Sequence, residues 1–244
     1  MKIGLFGRGR LGTAIASAAG PRICWQVGRG PAPDDPVDVL IDVSAASAVE
    51  SHLDLALERQ TPLVIGSTGW QLPDLAERVG ERIGVLTAPN FSLTVAFVRR
   101  LTALLGAFAM LEPAADPYLV EHHQARKQDA PSGTARLLAE TLLASCDKKS
   151  SWTLPPTDAP LRPDQLCISV LRAGHTASSH VVGVDMPGEV VEIQHTARDL
   201  SPYATGALRA AEFLMPRCGV FSMEDVARDS LDPLFEGMTA GSRT

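Results

Sequence analysis

Three glycines at positions 7, 9 and 12 separate a short apolar segment, KIGLF, from a run of small residues with helical spacing, TAIASAAG. In a GxGxxG loop of this kind, the first glycine permits a tight turn and the second lets the backbone approach a pyrophosphate. The third lets the following helix pack close to the strand. Free amides at the start of that helix favour an anion. The spacing of Gly7, Gly9 and Gly12 therefore predicts a strand, a phosphate-binding loop and a helix.

Strand and helix patterns alternate through the first 90 residues. The apolar segments ICWQV, DVLIDV, PLVIG and IGVLTA predict further strands, and ASAVESHLDLALERQ predicts a helix between two of them. The near-continuous apolar character of DVLIDV is typical of a strand buried on both faces. This alternation predicts an α/β protein whose N-terminal part is a Rossmann-like, doubly wound parallel sheet.

The pattern changes after residue 92. A long helix, VAFVRRLTALLGAFAM, is followed by a strand, DPYLVEHH, an amphipathic helix, ARLLAETLLAS, and an exposed connection at 147–165. The closely spaced strands CISVL, HVVGV and EVVEIQHTA indicate an open mixed or antiparallel sheet. We predict a dinucleotide-binding domain over 1–92, completed by helices in 206–244, the last of them short. An α+β substrate-binding and oligomerisation domain is predicted over 93–205.

Composition excludes several classes of function. The net charge is −6 and there is no long basic run, which argues against a nucleic-acid partner. No apolar run reaches the roughly 18–20 residues that span a bilayer. The four cysteines have no CxxC spacing and are expected to be free, and the N-terminus lacks a secretory pattern. We therefore expect a soluble cytoplasmic protein.

The segment VGRG, residues 27–30, follows the second predicted strand and bears on the choice of cofactor. NAD-preferring sites usually have a carboxylate at this point to bind the ribose 2′-hydroxyl, but this segment has Arg29 instead. An arginine there can pair with a 2′-phosphate. The segment favours NADPH or use of both NADPH and NADH; the alternative is that Arg29 is a solvated turn residue.

The segment GSTGW, residues 66–70, ends the fourth predicted strand with small residues. Ligands bind at the carboxyl ends of parallel strands, and a glycine there would let a flat nicotinamide lie against the backbone. The alternative is an ordinary turn.

The segment EHHQARKQDAPSGTA, residues 121–135, contains candidate catalytic residues. Side chains alternate faces along a strand, so His122 and His123 should point in opposite directions, which argues against one shared metal ion. No third ligand lies at a useful spacing, and we expect no metal. If the extended geometry continues, His123 shares a face with Glu121 and Lys127, a combination that suits a proton donor and an anion anchor. The alternative is a surface histidine and a solvated lysine.

The end of this segment, DAPSGTA, has the pattern of a helix N-terminus. Pro131 suits the first turn, and Ser132 or Asp129 suits the cap. Exposed amides at Gly133, beside the hydroxyls of Ser132 and Thr134, would form a receptor for a carboxylate or phosphate. Because the glycine loop already serves a pyrophosphate, the second receptor indicates an acidic substrate. The alternative is a capped helix without a ligand.

The whole segment resembles the signature of the dihydrodipicolinate reductase (4-hydroxy-tetrahydrodipicolinate reductase) family of lysine biosynthesis. Further matches occur in order over nearly all of the chain: GRGRLG, DVLIDVS, VIGSTGW, APNFSLTVAF, LRAGHTASSH, EIQHTARD and GALRAAEFL. The resemblance implies NADPH- or NADH-dependent reduction of 4-hydroxy-tetrahydrodipicolinate, by hydride transfer to a cyclic imine dicarboxylate with protonation by a histidine. It also implies a homotetramer that assembles through the open sheet.

The resemblance implies roles for individual residues. His123 matches the catalytic acid, and Lys127 matches the lysine that binds the substrate carboxylate and assists proton transfer. The matched substrate contacts are Gln124, Lys127, Ser132, Gly133 and Thr134. The matched cofactor contacts, with those from the glycine loop and VGRG, are Gly7, Arg8, Gly9, Leu11, Gly12, Arg29, Gly66, Ser67, Thr68, Ala88, Pro89, Asn90 and Phe91.

The histidine pair is shifted by one residue from the family pair, so the resemblance leaves two registers open. Either Gln124 replaces a substrate-binding histidine, or the local register differs and His122 is the acid. Strand parity with Lys127 favours His123.

Two other functions stay open. One is an NAD(P)-dependent reductase or dehydrogenase that acts on another imino or amino dicarboxylate. The other is a dinucleotide-sensing protein without catalysis, which would bind the cofactor but would be indifferent to His123→Ala.

Overall fold

The computed structural model describes residues 1–155, 160–175 and 178–240, with side chains described to residue 236. The chain divides into two compact units. The first comprises Met1–Leu93 with Leu200–Thr244, and the second comprises Thr94–Asp199. Residues 156–159 of the predicted 147–165 connection, and residues 176–177 of LRAGHTASSH, lie outside the described residues.

The first unit contains a six-stranded parallel sheet in the order β11-β5-β4-β3-β1-β2. Its strands are β1 Ile3–Phe6, β2 Ile23–Val27, β3 Val39–Asp42, β4 Leu63–Ile65, β5 Gly84–Thr87 and β11 Gly219–Ser222. All residues of β1, β3 and β4 are buried. Burial on both faces explains their continuous apolar sequences.

Helices complete the first unit: α1 Arg10–Ala19, α2 Val49–Glu58, α3 Leu75–Val79, α6 Ser201–Leu214 and α7 Met223–Ala240, with short 3₁₀ turns at Gly20–Arg22 and Ala46–Ala48. One core cluster joins the sheet to α1 and α6, and it includes Ile3, Ile15 and Leu214, which have no exposed surface. A second cluster, which includes Leu40, Leu53 and Val85, joins the sheet to α2. Helices covering both faces of a parallel sheet form the predicted Rossmann-like fold, which is confirmed.

The second unit contains a five-stranded mixed sheet in the order β10-β9-β6-β8-β7. Its elements are α4 Leu93–Ala109, β6 Asp116–His123, α5 Gly133–Ser145, β7 Ser151–Thr153, β8 Gln165–Arg172, β9 Ser178–Met186 and β10 Glu189–Ala197. The strand β6 pairs with β8 in parallel and with β9 antiparallel. Leu105 of α4, Leu138 of α5 and Leu119 of β6 meet in the core. The expected open mixed sheet is confirmed.

Four elements differ from the sequence-based expectation. The five-residue helix α3 was not predicted. The strand β7 lies inside the predicted 147–165 connection, and β11 adds a sixth strand where no strand was predicted. The final helix, α7, runs for 18 residues and is not short. Each of these segments is short or has a polar composition, so its apolar pattern was too weak to predict it. Among the helices of the described residues, none is both long and apolar enough to cross a membrane.

Candidate active site

The predicted cofactor residues lie at one edge of the parallel sheet. Phe6, Asp42, Ile65 and Thr87 are the last residues of β1, β3, β4 and β5, and they occupy matching register positions. The loops after these four strands therefore begin side by side. They contain the glycine loop and the segments VS, GST and APNF of the sequence. This edge is where parallel α/β sheets bind nucleotides.

The glycine loop has the close contacts that its spacing predicts. Gly7 has a positive φ of 114°, and a Cβ atom there would lie 2.5 Å from the carbonyl oxygen of Val43. A Cβ atom at Gly12 would lie 2.2 Å from the carbonyl oxygen of Gly7, whereas one at Gly9 would meet no atom within 4 Å. Gly7 and Gly12 are therefore required by packing, and the space beside Gly9 is open, as close approach of a pyrophosphate to the backbone requires.

A buried aspartate fixes two of the neighbouring loops. Asp42, with no exposed surface, accepts hydrogen bonds from the amide and hydroxyl of Ser44 at 2.8 and 2.6 Å and from the hydroxyl of Ser67 at 3.0 Å. Nδ1 of His52 lies 2.8 Å from its second oxygen, and the His52 ring stacks on Phe6 with centroids 3.7 Å apart. Burial alone would raise the pKa of Asp42, but the hydrogen bonds from His52 and Ser44 outweigh burial and lower the pKa. Asp42 therefore carries a negative charge that holds these loops in place.

Glycine at position 66 is required by packing. A Cβ atom there would lie 2.3 Å from the ring of Phe91, which is itself buried. The nicotinamide contact at Gly66 stays a prediction. Neighbouring backbone is well defined, because Asn90 accepts a hydrogen bond from the amide of Ser92 at 2.8 Å.

Two arginines border the loop after β2. The Arg8 guanidinium donates to the carbonyl oxygen of Gln26 at 2.7 and 3.2 Å, and its methylene carbons lie beside Gly28. Arg29 is exposed in the same loop. Acidic Asp34 is paired with Arg59 at 3.1 Å. The positive charge of Arg8 and Arg29 is therefore available at this loop to an anionic group.

In the second unit, β6 separates the two histidines as predicted. Burial alternates along β6, with Glu121 and His123 buried and His122 half-buried. Nε2 of His122 lies 3.1 Å from the carbonyl oxygen of Ala173. The strand ends at His123, and a turn at residues 125–126 precedes Lys127. The parity argument that linked Lys127 to His123 is therefore wrong, because extended geometry does not reach residue 127.

Glu121 is the centre of the buried contacts around His123. Both oxygens of its carboxylate accept a hydrogen bond from the Ser132 amide at 3.1 Å. One of them also accepts a hydrogen bond from the Arg172 guanidinium at 2.6 Å. Nε2 of His180 lies 3.7 Å from Oε2 of Glu121 and 3.1 Å from the Ser132 hydroxyl. Burial raises the pKa of Glu121, but the hydrogen bonds from His180, Ser132 and Arg172 together hold it well below its usual range. Glu121 is therefore ionised at neutral pH.

His123 lies next to this carboxylate but is not bonded to it. Its Nδ1 atom is 3.5 Å from Glu121, and within the described residues that atom has no hydrogen-bond partner. Burial lowers the pKa of His123 to about 4, although the negative charge of Glu121 opposes the shift. The imidazole is consequently neutral at pH 7 in the free protein.

The segment after Lys127 forms the expected helix N-terminus. Ser132 is the N-cap of α5 and accepts the amide of Ala135 at 3.1 Å. Gly133 is exposed, Thr134 is half-buried, and a Cβ atom at Gly133 would meet nothing within 4 Å. Pro131 precedes the cap instead of occupying the first helical turn as expected. Amides at this open helix start are suited to a carboxylate.

Lys127 is half-buried, and its ammonium donates to Asp129 at 2.7 Å. Asp129 is exposed. The lysine charge is therefore held by a carboxylate that water and an incoming anion can reach.

The structure brings together three possible metal ligands that spacing along the sequence did not indicate. Glu121, His123 and His180 place one ligand atom each within 4.8 Å of one another. Sequence spacing missed this group because His180 comes from β9, where it is paired with Glu121. Both oxygens of Glu121 already accept hydrogen bonds, one of them from Arg172. A divalent cation among these three groups would bind a carboxylate that is already paired with the positive charge of Arg172, so the group gives little support for a metal site.

Two contributors to this cluster were not predicted as site residues. Arg172 and His180 reach Glu121 from β8 and β9, 51 and 59 residues further along the chain. His180 is also within hydrogen-bond distance of the Ser132 hydroxyl. The segment LRAGHTASSH, which contains the arginine, was the only sequence signal for the position of Arg172.

Comparisons with known proteins agree over most of the chain. The family model described as "Dihydrodipicolinate reductase, N-terminus" matches residues 31–91, and the model described as "Dihydrodipicolinate reductase, C-terminus" matches residues 92–227. The two matches together cover more than half of the chain.

Individual relatives agree with these family models. The 4-hydroxy-tetrahydrodipicolinate reductase of Zymomonas mobilis is 34% identical, with 93% of this chain and 96% of the relative covered. The protein of the same name from Christiangramia forsetii is 32% identical, with 94% and 98% covered. A solved dipicolinate-bound dihydrodipicolinate reductase from Paenisporosarcina has a TM-score of 0.72 at 19% identity, with 91% and 97% covered. At that identity, the solved structure supports the fold alone.

Proposed function

The chain belongs to the dihydrodipicolinate reductase family, NAD(P)H-dependent oxidoreductases of lysine and diaminopimelate biosynthesis, and we propose that His123 and Lys127 perform the chemistry in this protein. The observation that carries the proposal is one buried cluster in the second unit. In this cluster, neutral His123 lies beside ionised Glu121. Glu121 accepts a hydrogen bond from the amide of Ser132, the N-cap of α5. The arrangement suits protonation of a substrate that carries carboxylates.

The substrate is a cyclic imine dicarboxylate formed from 4-hydroxy-tetrahydrodipicolinate by loss of water. NADPH or NADH, held by residues of the first unit, would supply the hydride that reduces this conjugated ring. Addition of the hydride leaves electron density on a neighbouring ring carbon as an enamine. His123 delivers a proton to that carbon, which completes the reduction.

Two groups of the second unit bind the substrate carboxylates. One is the N-terminus of α5, where the amides of Gly133 and Thr134 and the Thr134 hydroxyl act as hydrogen-bond donors. Ser132, predicted as a substrate contact, instead donates its amide to Glu121 and caps the helix, so it holds this terminus in place. The other is the ammonium of Lys127, which exchanges its contact with exposed Asp129 for the substrate. Gln124, half-buried just beyond β6, donates an amide hydrogen bond in place of the substrate-binding histidine that the family signature implies. Nε2 of His122 contacts the carbonyl oxygen of Ala173. Because this contact occupies His122, it supports His123 as the acid.

Residues of the first unit bind the cofactor. The amides of Arg8, Gly9, Leu11 and Gly12 receive the pyrophosphate at the start of α1, an assignment that the open space beside Gly9 supports. Gly7, whose amide donates to the carbonyl oxygen of Val27 at 2.8 Å, forms the turn that places these amides. The loops with Gly66, Ser67 and Thr68, and with Ala88, Pro89, Asn90 and Phe91, provide backbone contacts for the nicotinamide half. Since Phe91 is buried, its contribution comes from the main chain.

Assembly and location are part of the proposal. We propose a cytoplasmic homotetramer that associates through the exposed face of the second sheet. Large apolar side chains are exposed there, with Val190 at 52% and Leu171 at 50%. Apolar residues exposed on a sheet face are typical of a surface that another chain covers. Sedimentation equilibrium gives the mass directly, and a monomer would contradict this assembly.

Steady-state turnover tests the function. The substrate is made in the cuvette by a 4-hydroxy-tetrahydrodipicolinate synthase, and oxidation of NADPH or NADH is followed by loss of nicotinamide absorbance. We expect substrate-dependent oxidation that saturates with both substrate and cofactor. A protein that binds the cofactor without oxidising it would be the dinucleotide sensor instead.

The same assay tests the proposed role of Arg29. We expect Arg29→Asp to raise KM for NADPH by about 10–100-fold and KM for NADH by less than about threefold, because only NADPH has a 2′-phosphate to pair with the guanidinium. Arg59→Ala is the matched control, since Arg59 pairs with Asp34 and is expected to change neither constant. An equal loss for both cofactors in Arg29→Asp would rule out a 2′-phosphate contact.

A further inference from the structure

The contacts of Glu121 connect two parts of the proposed site that are distant in sequence. Its carboxylate bonds the amide of Ser132, the residue that caps α5, and the same carboxylate lies 3.5 Å from Nδ1 of His123. Glu121 and His123 are neighbours on one face of β6, so both are held by the sheet. The position of the α5 N-terminus relative to His123 is therefore set through one side chain.

Arg172 extends the same connection to the loop before α5. One of its terminal nitrogens donates to Glu121 at 2.6 Å and to the carbonyl oxygen of Asp129 at 2.7 Å. The other donates to the carbonyl of Leu171 on its own strand. Asp129 in turn accepts the ammonium of Lys127. Arg172 thus holds the backbone of the segment that contains Lys127. Arg172 is itself held by the sheet, because it lies opposite His123 where β8 pairs with β6.

We propose that the largely buried Glu121–Arg172 pair is a positioning element that fixes the carboxylate receptor, Lys127 and residues 133–134, at the correct distance from His123. The proposal rests on the function proposed above for His123 and Lys127. Neither member of the pair contacts substrate in it. Their role is to hold a loop and a helix terminus that would otherwise be fixed only by local turns.

Stability alone is a poor explanation for this pair. Two charges taken out of water lose hydration, and buried ion pairs are often no more stabilising than apolar side chains of the same volume. The pair instead contributes directional hydrogen bonds. A carboxylate accepts from the Ser132 amide and the guanidinium at once, and the planar guanidinium reaches Glu121, Asp129 and Leu171 together. Such contacts restrict geometry more tightly than apolar packing does.

Two conservative variants test the role of the pair. Glu121→Gln keeps the shape but removes the charge, and Arg172→Lys keeps the charge but loses the planar donor set. We expect both to raise the dissociation constant for pyridine-2,6-dicarboxylate, and KM for substrate, by at least about tenfold. The NADPH dissociation constant, measured by fluorescence, should change less than about twofold, since cofactor residues belong to the other unit.

A rescue experiment separates positioning from general damage. Arg172→Ala should regain at least about fivefold in dicarboxylate affinity when millimolar guanidinium chloride is added, because free guanidinium can occupy the vacated place beside Glu121. The matched control is Arg162→Ala, which removes an exposed arginine paired with Asp164 in the same unit. The control is expected to keep wild-type affinity and to show no response to guanidinium.

The outcomes are separable. Wild-type dicarboxylate affinity in folded Glu121→Gln and Arg172→Lys would overturn the positioning role. A parallel loss of dicarboxylate affinity, NADPH affinity and melting temperature, without rescue, would also overturn it. If Glu121→Gln does not fold, Arg172→Lys and the rescue decide the matter. Failure of the wild-type protein to bind the dicarboxylate or to reduce the substrate would overturn the proposed function. That outcome is measured on the wild-type protein alone, so it is distinct from the variant results.

Discussion

Replacement of His123 by glutamine is expected to lower kcat by about 10²–10⁴-fold while the dissociation constant for NADPH stays unchanged. General acid catalysis by a positioned side chain contributes a factor of this size. Glutamine can still donate a hydrogen bond but cannot deliver a proton. His123 belongs to the second unit, whereas the predicted cofactor residues belong to the first, so cofactor affinity should not respond. The measurement is steady-state kinetics combined with fluorescence titration of NADPH.

His122→Gln is the matched control for this prediction. His122 is adjacent in sequence but is bonded to the carbonyl of Ala173. Its replacement is expected to change kcat by less than about threefold. A larger loss in His122→Gln than in His123→Gln would show that the other register of the histidine pair is correct.

The protonation state of His123 gives a second readout for the same variant. Burial lowers its pKa to about 4, so the free protein lacks the proton that the reaction needs at pH 7. An opposite charge within a few ångströms raises a histidine pKa by about 1–3 units, and the substrate brings two carboxylates. Binding of a dicarboxylate should therefore take up protons near pH 6, as measured by calorimetry in buffers of different ionisation enthalpy. His123→Gln should abolish this uptake.

Replacement of Lys127 by alanine is expected to raise the dissociation constant for pyridine-2,6-dicarboxylate by about 10–100-fold. Hydrogen bonds to charged groups contribute about 1.5–3 kcal/mol, and each 1.4 kcal/mol is a factor of ten. We also expect a fall in kcat/KM that is at least as large, since Lys127 assists the developing charge in the transition state. Calorimetry and steady-state kinetics measure the two effects.

Asp129→Asn is the control for Lys127→Ala. Asp129 is the partner of Lys127 in the free protein, and the substrate carboxylate must replace that contact. Removal of the aspartate charge is therefore expected to leave dicarboxylate affinity unchanged or to increase it. If Asp129→Asn weakened binding as much as Lys127→Ala does, the intact ion pair would be the binding element and the lysine would not act as proposed.

Much of the fold could be predicted from sequence because the relevant signals are local. The strands β1, β3 and β4 are continuous apolar runs, which buried parallel strands require. The contacts of Gly7 and Gly12 follow from their spacing in the loop. Likewise, the Ser132 cap of α5 follows from a local pattern of small and polar residues.

The contacts of Glu121 could not be predicted in this way. Arg172 and His180 approach it from paired strands, and pairing register between strands is set by the whole sheet. The strand-parity argument for Lys127 failed for a related reason, since it assumed that extended backbone continues past His123. Where a strand ends depends on its neighbours, and here β8 and the Ala173 backbone end the pairing with β6.

Transfer of label from the cofactor tests the central claim most directly. Reduced nicotinamide cofactor carrying two deuterium atoms at C4 is supplied to the wild-type protein with 4-hydroxy-tetrahydrodipicolinate, and the product is analysed by mass spectrometry and NMR. The account predicts one deuterium on a ring carbon of tetrahydrodipicolinate for each cofactor oxidised. Cofactor oxidation that leaves the ring unlabelled would contradict it.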